Sequence, residues 1–387
     1  MKILLSWLNE YGDFGDPTNP DDVRRVADEL TALGLEVDEI EAVGDTVHGV
    51  VTARILRLES HPDAAKVQRV WVDAGDGEQH HVWCGASNIS IDDIVPLATL
   101  GTSMPNGMTI ERRGILGIDS EGMLCSAQEL GLGDDHSGIR ILPADTPLGV
   151  PYGEALGITP DVLIDADVTR NRPDCWGYVG IARDLAAKMG VEFRPPTPTL
   201  DATGDERRAP VEIVDGDRCA RFTSTVISGV AVGASAEWMQ RRLTAAGMRP
   251  ISNVVDVSNY VMLELNQPNH AYDLDTLGGG GFRVRLAEAG ERLVTLDGEE
   301  RVFSDGDLLI CDANDVPIGV GGIMGGLDSE ISDATTTVAL EMAWFELVGI
   351  GRTVTRTGLR SEASQRFERG VDPYGMPTAI ARFAELL

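Results

Sequence analysis

The chain has no apolar run near the ~18 residues a membrane helix needs, and its 43% hydrophobic content includes only 5% aromatics, so no membrane span is expected. Nothing at the start reads as a secretory signal, because Met1 to Leu5 passes at once into Ser6, Asn9 and Glu10. A cytoplasmic location is the expectation. The five cysteines (Cys84, Cys125, Cys175, Cys219, Cys311) are odd in number and widely spaced, with no Cys-x-x-Cys pair. That excludes a disulfide framework, a zinc clamp and a dithiol redox pair, and predicts reduced, mostly buried thiols. Lysine stands only at Lys2, Lys66 and Lys188. The C-terminal half therefore has no Walker-type phosphate loop, Schiff-base lysine or pyridoxal site. Positive charge is short overall: 32 basic residues face 62 acidic ones, for a net charge of −30 and a pI near 4.4. Taken alone, that argues against a polyanionic partner, whose affinity comes from Lys and Arg neutralising phosphates.

What is present suggests two or three domains, since 387 residues exceed the ~150 of an average domain more than twofold. Near the start, Asn19 as cap, Pro20 at the first position, Asp21 and Asp22 in the first turn, and Val23, Val26, Leu30 and Leu33 at helical spacing before Gly34 predict an amphipathic helix. From about Val47 the period changes to short alternating runs (Val50 to Ile55, Val67 to Val72, His81 to Cys84, Val95 to Leu100) separated by turn clusters such as Gly75-Asp76-Gly77 and Pro105-Asn106-Gly107. Several short strands with evenly placed turns read as a small barrel. A helix is expected from Gly180 to Met189, followed by a linker, Arg194-Pro195-Pro196-Thr197-Pro198, running on through Asp205. Beyond it the pattern is α+β. Ser235 is placed to cap a helix to about Ala246 with Trp238, Met239 and Leu243 inward, Leu308 to Cys311 reads as a strand, and Gly278 to Gly281 as a flexible hairpin tip.

Several motifs then occur in one order. The barrel carries His61-Pro62-Asp63-Ala64-Ala65-Lys66, Cys84-Gly85-Ala86, and Ser120-Glu121-Gly122-Met123-Leu124-Cys125-Ser126 followed by Glu129-Leu130-Gly131. Asn171-Arg172-Pro173-Asp174-Cys175 with Gly180-Ile181-Ala182-Arg183 comes next. After the linker stand Asn253 to Tyr260, Gln267-Pro268-Asn269-His270-Ala271-Tyr272-Asp273, Gly321-Gly322-Ile323-Met324-Gly325-Gly326 and Arg366 to Pro373. The barrel motifs resemble the tRNA-binding oligonucleotide-fold domain of synthetase-associated proteins. The whole array, covering essentially every residue, resembles the β subunit of bacterial phenylalanyl-tRNA synthetase.

The resemblance implies a multi-domain α+β protein. A small β-barrel of the OB-fold type, residues 41–150, would be inserted into an N-terminal α+β domain made of 1–40 and 151–195. A linker over 196–210 would lead to an α+β editing domain over 211–387. Family β subunits continue past the equivalent of Leu387 into a magnesium-binding module, an inactive synthetase-like core and an anticodon-binding domain, so a chain cut or truncated after the editing region is expected. The implied partners are the α subunit, in an (αβ)₂ ligase, and tRNA(Phe). ATP and Mg²⁺ would serve the complete enzyme, with no cofactor or metal held by this chain.

Phenylalanine and tyrosine differ by one hydroxyl, and an apolar pocket cannot strongly reject a near-isostere that adds one. A second, hydrolytic site that rewards the hydroxyl through a buried acceptor is the physical remedy. With phenylalanine that acceptor would be left desolvated and unpaired, at a cost of about 1–3 kcal/mol. By resemblance, hydrolysis of tyrosyl-tRNA(Phe) falls to the region after the linker. Asn259, His270 and Glu341 would be its polar, catalytic members, Glu341 reading the hydroxyl; Gly321 and Gly322 would bring backbone to the substrate ring, and Ser361 and Ala363 would form a wall. Ser361 stands where the family often has threonine. An aminoacyl ester is already activated, so a placed water suffices without a covalent nucleophile.

Each residue has a plainer reading. His270, which follows Gln267-Pro268-Asn269 in an expected turn, could be structural, and Glu341, set among Val338, Ala339, Leu340, Met342 and Ala343, could be salt-bridged to an arginine. The glycines could serve tight turns alone, and Arg366 and Arg369, alternating with Glu368 and Asp372, could form internal ion pairs in place of RNA contacts. Paired His80-His81 lacks a second ligand pair at metal spacing. The barrel is itself acidic, with seven Lys/Arg against fifteen Asp/Glu between residues 45 and 145. Lys66 with Arg69, and Arg112 with Arg113, are the candidate tRNA-binding edge. The rival function is a non-catalytic tRNA-binding and assembly module, inert without the α subunit and the missing domains.

Overall fold

In the computed structural model the described residues are 1–44, 47–61, 64–115, 118–132, 135–200, 202, 206–327 and 330–387. They divide into two units, one made of Met1–Glu41 with Val162–Leu387 and the other of Ala42–Asp161.

The second unit is built on an antiparallel five-stranded sheet, in spatial order Gln79–Cys84, Ala64–Asp73, Val50–His61, Ile94–Thr99 and Gly122–Leu124. Alternation explains it. Ala53, Ile55, Val70, Val72, Val82, Val95 and Leu97 point to one side and form the core, while Arg57, Glu59, Arg69, Trp71, His81 and Trp83 occupy the other. The two outermost strands approach each other: the Glu121 amide donates to His81 O at 2.8 Å and the Trp83 amide to Ser120 Oγ at 3.1 Å. The sheet is thus a nearly closed barrel. Gly75, Gly77 and Gly107, in the turn clusters, take φ of +77°, +84° and +81°, which only glycine adopts cheaply.

The first unit opens with a three-stranded sheet (Lys2–Leu4, Asp161–Val168, Leu35–Val43). The capped helix forms as expected over Pro20–Ala32, the Asn19 side chain accepting from the Asp21 amide, and a second helix spans Tyr178–Met189. In the linker, Asp201 and Thr203 to Asp205 lie outside the described residues; the described remainder of 191–210 holds no helix or strand. Beyond it, an antiparallel three-stranded sheet has Thr337–Phe345 at its centre, between Cys219–Ser228 and Asn269–Asp273. A five-stranded sheet runs Val211–Ile213, Phe282–Leu286, Leu308–Asp312, Pro317–Val320, Met324–Gly325. Phe222, Tyr272, Ala339 and Ala343 of the first sheet share one core with Phe282, Val284, Ile310, Ile318 and Val320 of the second. Thr337–Phe345 is buried on both faces, which is why its sequence is a nearly unbroken apolar run.

Three local expectations are corrected. Ser235 does not cap the helix Glu237–Ala245; Ala236 holds that position, and the Ser235 hydroxyl donates to the buried Asp256 carboxylate. Trp238 is 39% exposed, with only Met239 and Leu243 buried; its ring meets Tyr260 edge-on at 5.4 Å. The glycines at 278–281 form no hairpin tip, because they join strands of different sheets, and a Cβ on Gly278 would stand 2.0 Å from the Asp312 carboxylate.

Candidate functional site

The central strand aligns Glu341 with Ser224 on one neighbour and His270 on the other. Directly opposite residues of a sheet share a face, so the three side chains form one polar row across it, pointing into the core between the sheets. Glu341 is 6% exposed. No ion pair reaches it among the described residues, so the arginine salt bridge is not its explanation. Its Oε2 instead accepts from the Tyr272 hydroxyl at 2.9 Å. Burial pushes the Glu341 carboxyl up to about 7, against the opposing pull of that hydrogen bond. His270 stands in the strand Asn269–Asp273 and not in a turn. The strand is an edge one, where Pro268 immediately before it costs no ladder hydrogen bond. Burial lowers His270 to about 4, so its imidazole is neutral near pH 7. Its Nε2 and the Ser224 Oγ are both buried without a hydrogen-bond partner, and its ring lies edge-on to Tyr272, centroids 4.5 Å apart.

A tight connection closes over this row. The Ser361 hydroxyl donates to Ile323 O at 2.6 Å while capping the helix Glu362–Phe367, and Ala363 packs on the same core. Gly321 and Gly322 are buried against Leu308 and against Phe345, Ile350 and Phe367 respectively. Gly325 is the glycine beside the imidazole, where a Cβ would lie 2.7 Å from His270 Nε2. Ser361, the loop, His270, Tyr272 and Glu341 are therefore linked by direct neighbours. Asn259 is not. It is half-buried on the helix Asn253–Leu265, whose Ser258 is hydrogen-bonded to Asn269, and no hydrogen bond joins Asn259 to His270 or Glu341.

Sequence reasoning missed Ser224, Tyr272 and Gly325. Period-two alternation from His270 would have found Tyr272; Ser224 carries no local signal.

On the barrel, the side chain of Lys66 lies outside the described residues, as do Pro62 and Asp63 of its motif. Arg69 donates to His81 Nε2 at 3.2 Å and lies 3.5 Å from Glu59. Arg112 is 3.2 Å from Glu121, and Arg113 is exposed on the strand Arg113–Ile115. Arg69 and Arg112 are bridged indirectly, since His81 contacts both Arg69 and Asp119, and Asp119 lies 3.9 Å from Arg112. A direct cluster forms at Trp71, with the Arg57 guanidinium 3.7 Å and the Arg69 guanidinium 4.6 Å from its ring centre. His80 is held by Asp76 at 2.6 Å, and His81 Nδ1 donates to Asp119 O.

All five cysteines are buried and unpaired. Among the described residues one group of metal-type ligands converges, Asp174, Cys175 and Asp184. Arg172 donates to all three and Arg183 pairs with both carboxylates, so two guanidiniums already neutralise the two acids, and burial lifts the Cys175 thiol to about 12. The donor set does not fit a divalent ion. No helix of the described residues is long and apolar enough to cross a membrane.

Two family models match: "Putative tRNA binding domain" over residues 50–151 and "B3/4 domain" over residues 218–387. Curated relatives match along the whole chain. The phenylalanine–tRNA ligase β subunit of Anaeromyxobacter dehalogenans is 48% identical over 389 residues, covering 100% of this chain and 48% of that one. The corresponding subunit of Nitratidesulfovibrio vulgaris is 43% identical with the same coverage, and that of Salinibacter ruber 39%, again over 100% and 48%. The chain thus spans about half the length of these relatives. A crystal structure of an N-terminal fragment of the phenylalanyl-tRNA synthetase β subunit from Pyrococcus horikoshii aligns with 52% of this chain and 62% of its own, at 14% identity and a TM-score of 0.28, too slight a likeness to bear on the fold. With identity of this order sustained from end to end, the whole chain is similar to about half of the phenylalanine–tRNA ligase β subunit.

Proposed function

We propose that this chain contributes tRNA binding and proofreading to a phenylalanine–tRNA ligase, hydrolysing tyrosyl-tRNA(Phe) at the Glu341–His270 row. The observation that carries the reading is a buried carboxylate with no basic partner that already accepts a phenol, the Tyr272 hydroxyl at 2.9 Å. A tyrosine substrate offers the same donor group, and phenylalanine offers none. In this reading Glu341 accepts the substrate hydroxyl, while the unpartnered Ser224 Oγ and His270 Nε2 orient the amino acid or the attacking water. Ser361, Ala363, Gly321 and Gly322 belong to the wall and loop around the ring, and Asn259 acts from the neighbouring helix. Water adds to the ester carbonyl, the bond to the ribose oxygen breaks, and tyrosine and a free tRNA 3′ hydroxyl leave. The carboxyl near 7 accepts a hydrogen bond in either protonation state, more strongly when ionised.

We assign the barrel an OB-fold, inserted as residues 41–150 between 1–40 and 151–195, with 196–210 the linker and 211–387 the editing domain. Its RNA-facing side would be the Arg57–Trp71–Arg69 face, helped by Lys66, Arg112 and Arg113, where a base can stack on the indole. The α subunit, ATP and Mg²⁺ belong to the complete cytoplasmic enzyme.

The test is release of tyrosine from tyrosyl-tRNA(Phe) by the chain, compared with Glu341→Ala. The wild type should hydrolyse it in preference to phenylalanyl-tRNA(Phe), and the variant should lose roughly 10- to 100-fold of that preference, the equivalent of about 1–3 kcal/mol. Equal, background-level hydrolysis by both proteins would reject autonomous editing and leave a binding and assembly module.

A further inference from the structure

The arginines on and just after the helix Leu347–Thr357, and Glu368 of the motif from Arg366 to Pro373, are not used by the site above, and those arginines converge around Glu368. A pocket of about 430 Å³ is lined by Arg170, Arg352, Arg356 and Arg360 together with Thr355 and Glu368. We propose that this pocket binds phosphates of an RNA backbone, a reading that rests on the proofreading function for the RNA's identity but not for the anion site itself.

Charge decides the class of ligand. In a chain where acids outnumber bases 62 to 32, this surface inverts the ratio. Glu368 is the pocket's single carboxylate and its side chain is 5% exposed, yet three guanidiniums crowd it: Arg369 at 3.0 Å and Arg170 and Arg360 each at 3.8 Å. Arg356 is held by Asp307. Arg352 is exposed, with no hydrogen bond or ion pair among the described residues. One carboxylate cannot satisfy three guanidiniums, and at 3.8 Å the N–H forks of Arg170 and Arg360 retain donors that match phosphate oxygens. The crowding registers on Arg369, which burial together with the neighbouring Arg170 and Arg360 holds below the usual arginine range against the pull of Glu368. The volume lies within the ~300–1,000 Å³ of ordinary ligand sites, larger than one phosphate needs and suited to a stretch of sugar–phosphate chain.

Position selects RNA among anions. Arg360 directly precedes Ser361, whose hydroxyl holds Ile323 in the loop that carries Gly325 against His270. On this proposal a molecule whose ester lies at the Glu341–His270 row would lead its polyanionic tail to Arg360, the residue next to the wall residue Ser361.

The test measures uncharged tRNA binding to the chain over a series of salt concentrations, for the wild type, Arg352→Gln and the double variant Arg170→Gln/Arg352→Gln. Both side chains are exposed, so unchanged thermal melting is the check on folding. The double variant should bind roughly tenfold more weakly, with a salt slope shallower by about 1 to 2, since each lost phosphate contact removes ~0.7–0.9. The single variant should fall between. An unchanged slope and affinity would overturn the site, as would variants that lose protection by inorganic phosphate while binding tRNA normally, which would make it a small-anion pocket. Hydrolysis of tyrosine ethyl ester by the wild type tests the Glu341–His270 reading separately. If the ester is untouched while the arginine variants lose tRNA, the proofreading reading fails and the phosphate site stands.

Discussion

Glu341 and His270 should make opposite and nearly equal demands on stability, and removing either should expose the other. Burial raises the Glu341 carboxyl from 4.5 to about 7, so the folded state binds this proton more tightly than the unfolded chain. Its contribution is fully present below pH 4.5 and is lost as pH rises to about 7. Burial lowers His270 from 6.5 to about 4. Its contribution is present above pH 6.5 and is lost as pH falls to about 4. Each gap is worth roughly 3 kcal/mol at 1.36 kcal/mol per pH unit. Between about pH 4.5 and 6.5 the folded pair holds its proton on glutamic acid and the unfolded pair holds it on histidine, so the proton count is equal and the two slopes cancel. Urea unfolding at closely spaced pH values reads this directly. Relative to wild type, Glu341→Gln should lose roughly 3 kcal/mol on acidification from 6.5 to 4, and His270→Asn should lose a similar amount on raising the pH from 4.5 to 7. Parallel stability profiles for all three proteins would refute the burial of this pair.

Tyr272→Phe removes the one hydrogen bond to Glu341 while keeping the ring, so the carboxyl should titrate higher. A bond to an ionised group is worth about 1.5–3 kcal/mol, which should move the acidic limb of tyrosyl-tRNA(Phe) hydrolysis up by about one to two pH units; a limb that stays put would make Tyr272 mere packing. Arg382 holds the fully buried Glu264 at 2.8 and 3.0 Å, with Tyr11 as the other donor at 2.6 Å. Arg382→Ala strands that carboxylate and should cost about 3–5 kcal/mol in denaturant unfolding. Trp71→Ala should weaken tRNA binding by about 1–3 kcal/mol if one base stacks on the indole, without altering the fold; filter binding with circular dichroism checks both.

Much of the scaffold was legible because its signals are local. Asn19, Pro20 and the acidic first turn mark a helix start within four residues, and the barrel strands announce themselves by alternation and by glycines that must take positive φ. Glu341 was legible for a related reason: one carboxylate within an apolar run demands an explanation. What could not be read is long-range. Ser224 meets Glu341 only because strands more than a hundred residues apart pair in one register, and the arginine pocket draws Arg170 to side chains beyond residue 350. Ser235 looked like a cap because its competitor, Asp256, lies on another helix. Trp238 looked inward because helical spacing does not reveal how wide the buried face is. The glycines of 321–326 were individually indistinguishable until His270 was seen beside Gly325.

Binding of free L-tyrosine and L-phenylalanine to the chain, measured by calorimetry with wild type and Glu341→Ala, tests most directly whether a buried carboxylate tells the two apart. Tyrosine should bind the wild type roughly 10- to 100-fold more tightly than phenylalanine, and the variant should bind the two about equally. Equal affinities in the wild type, or a tyrosine preference that survives in the variant, would contradict the account.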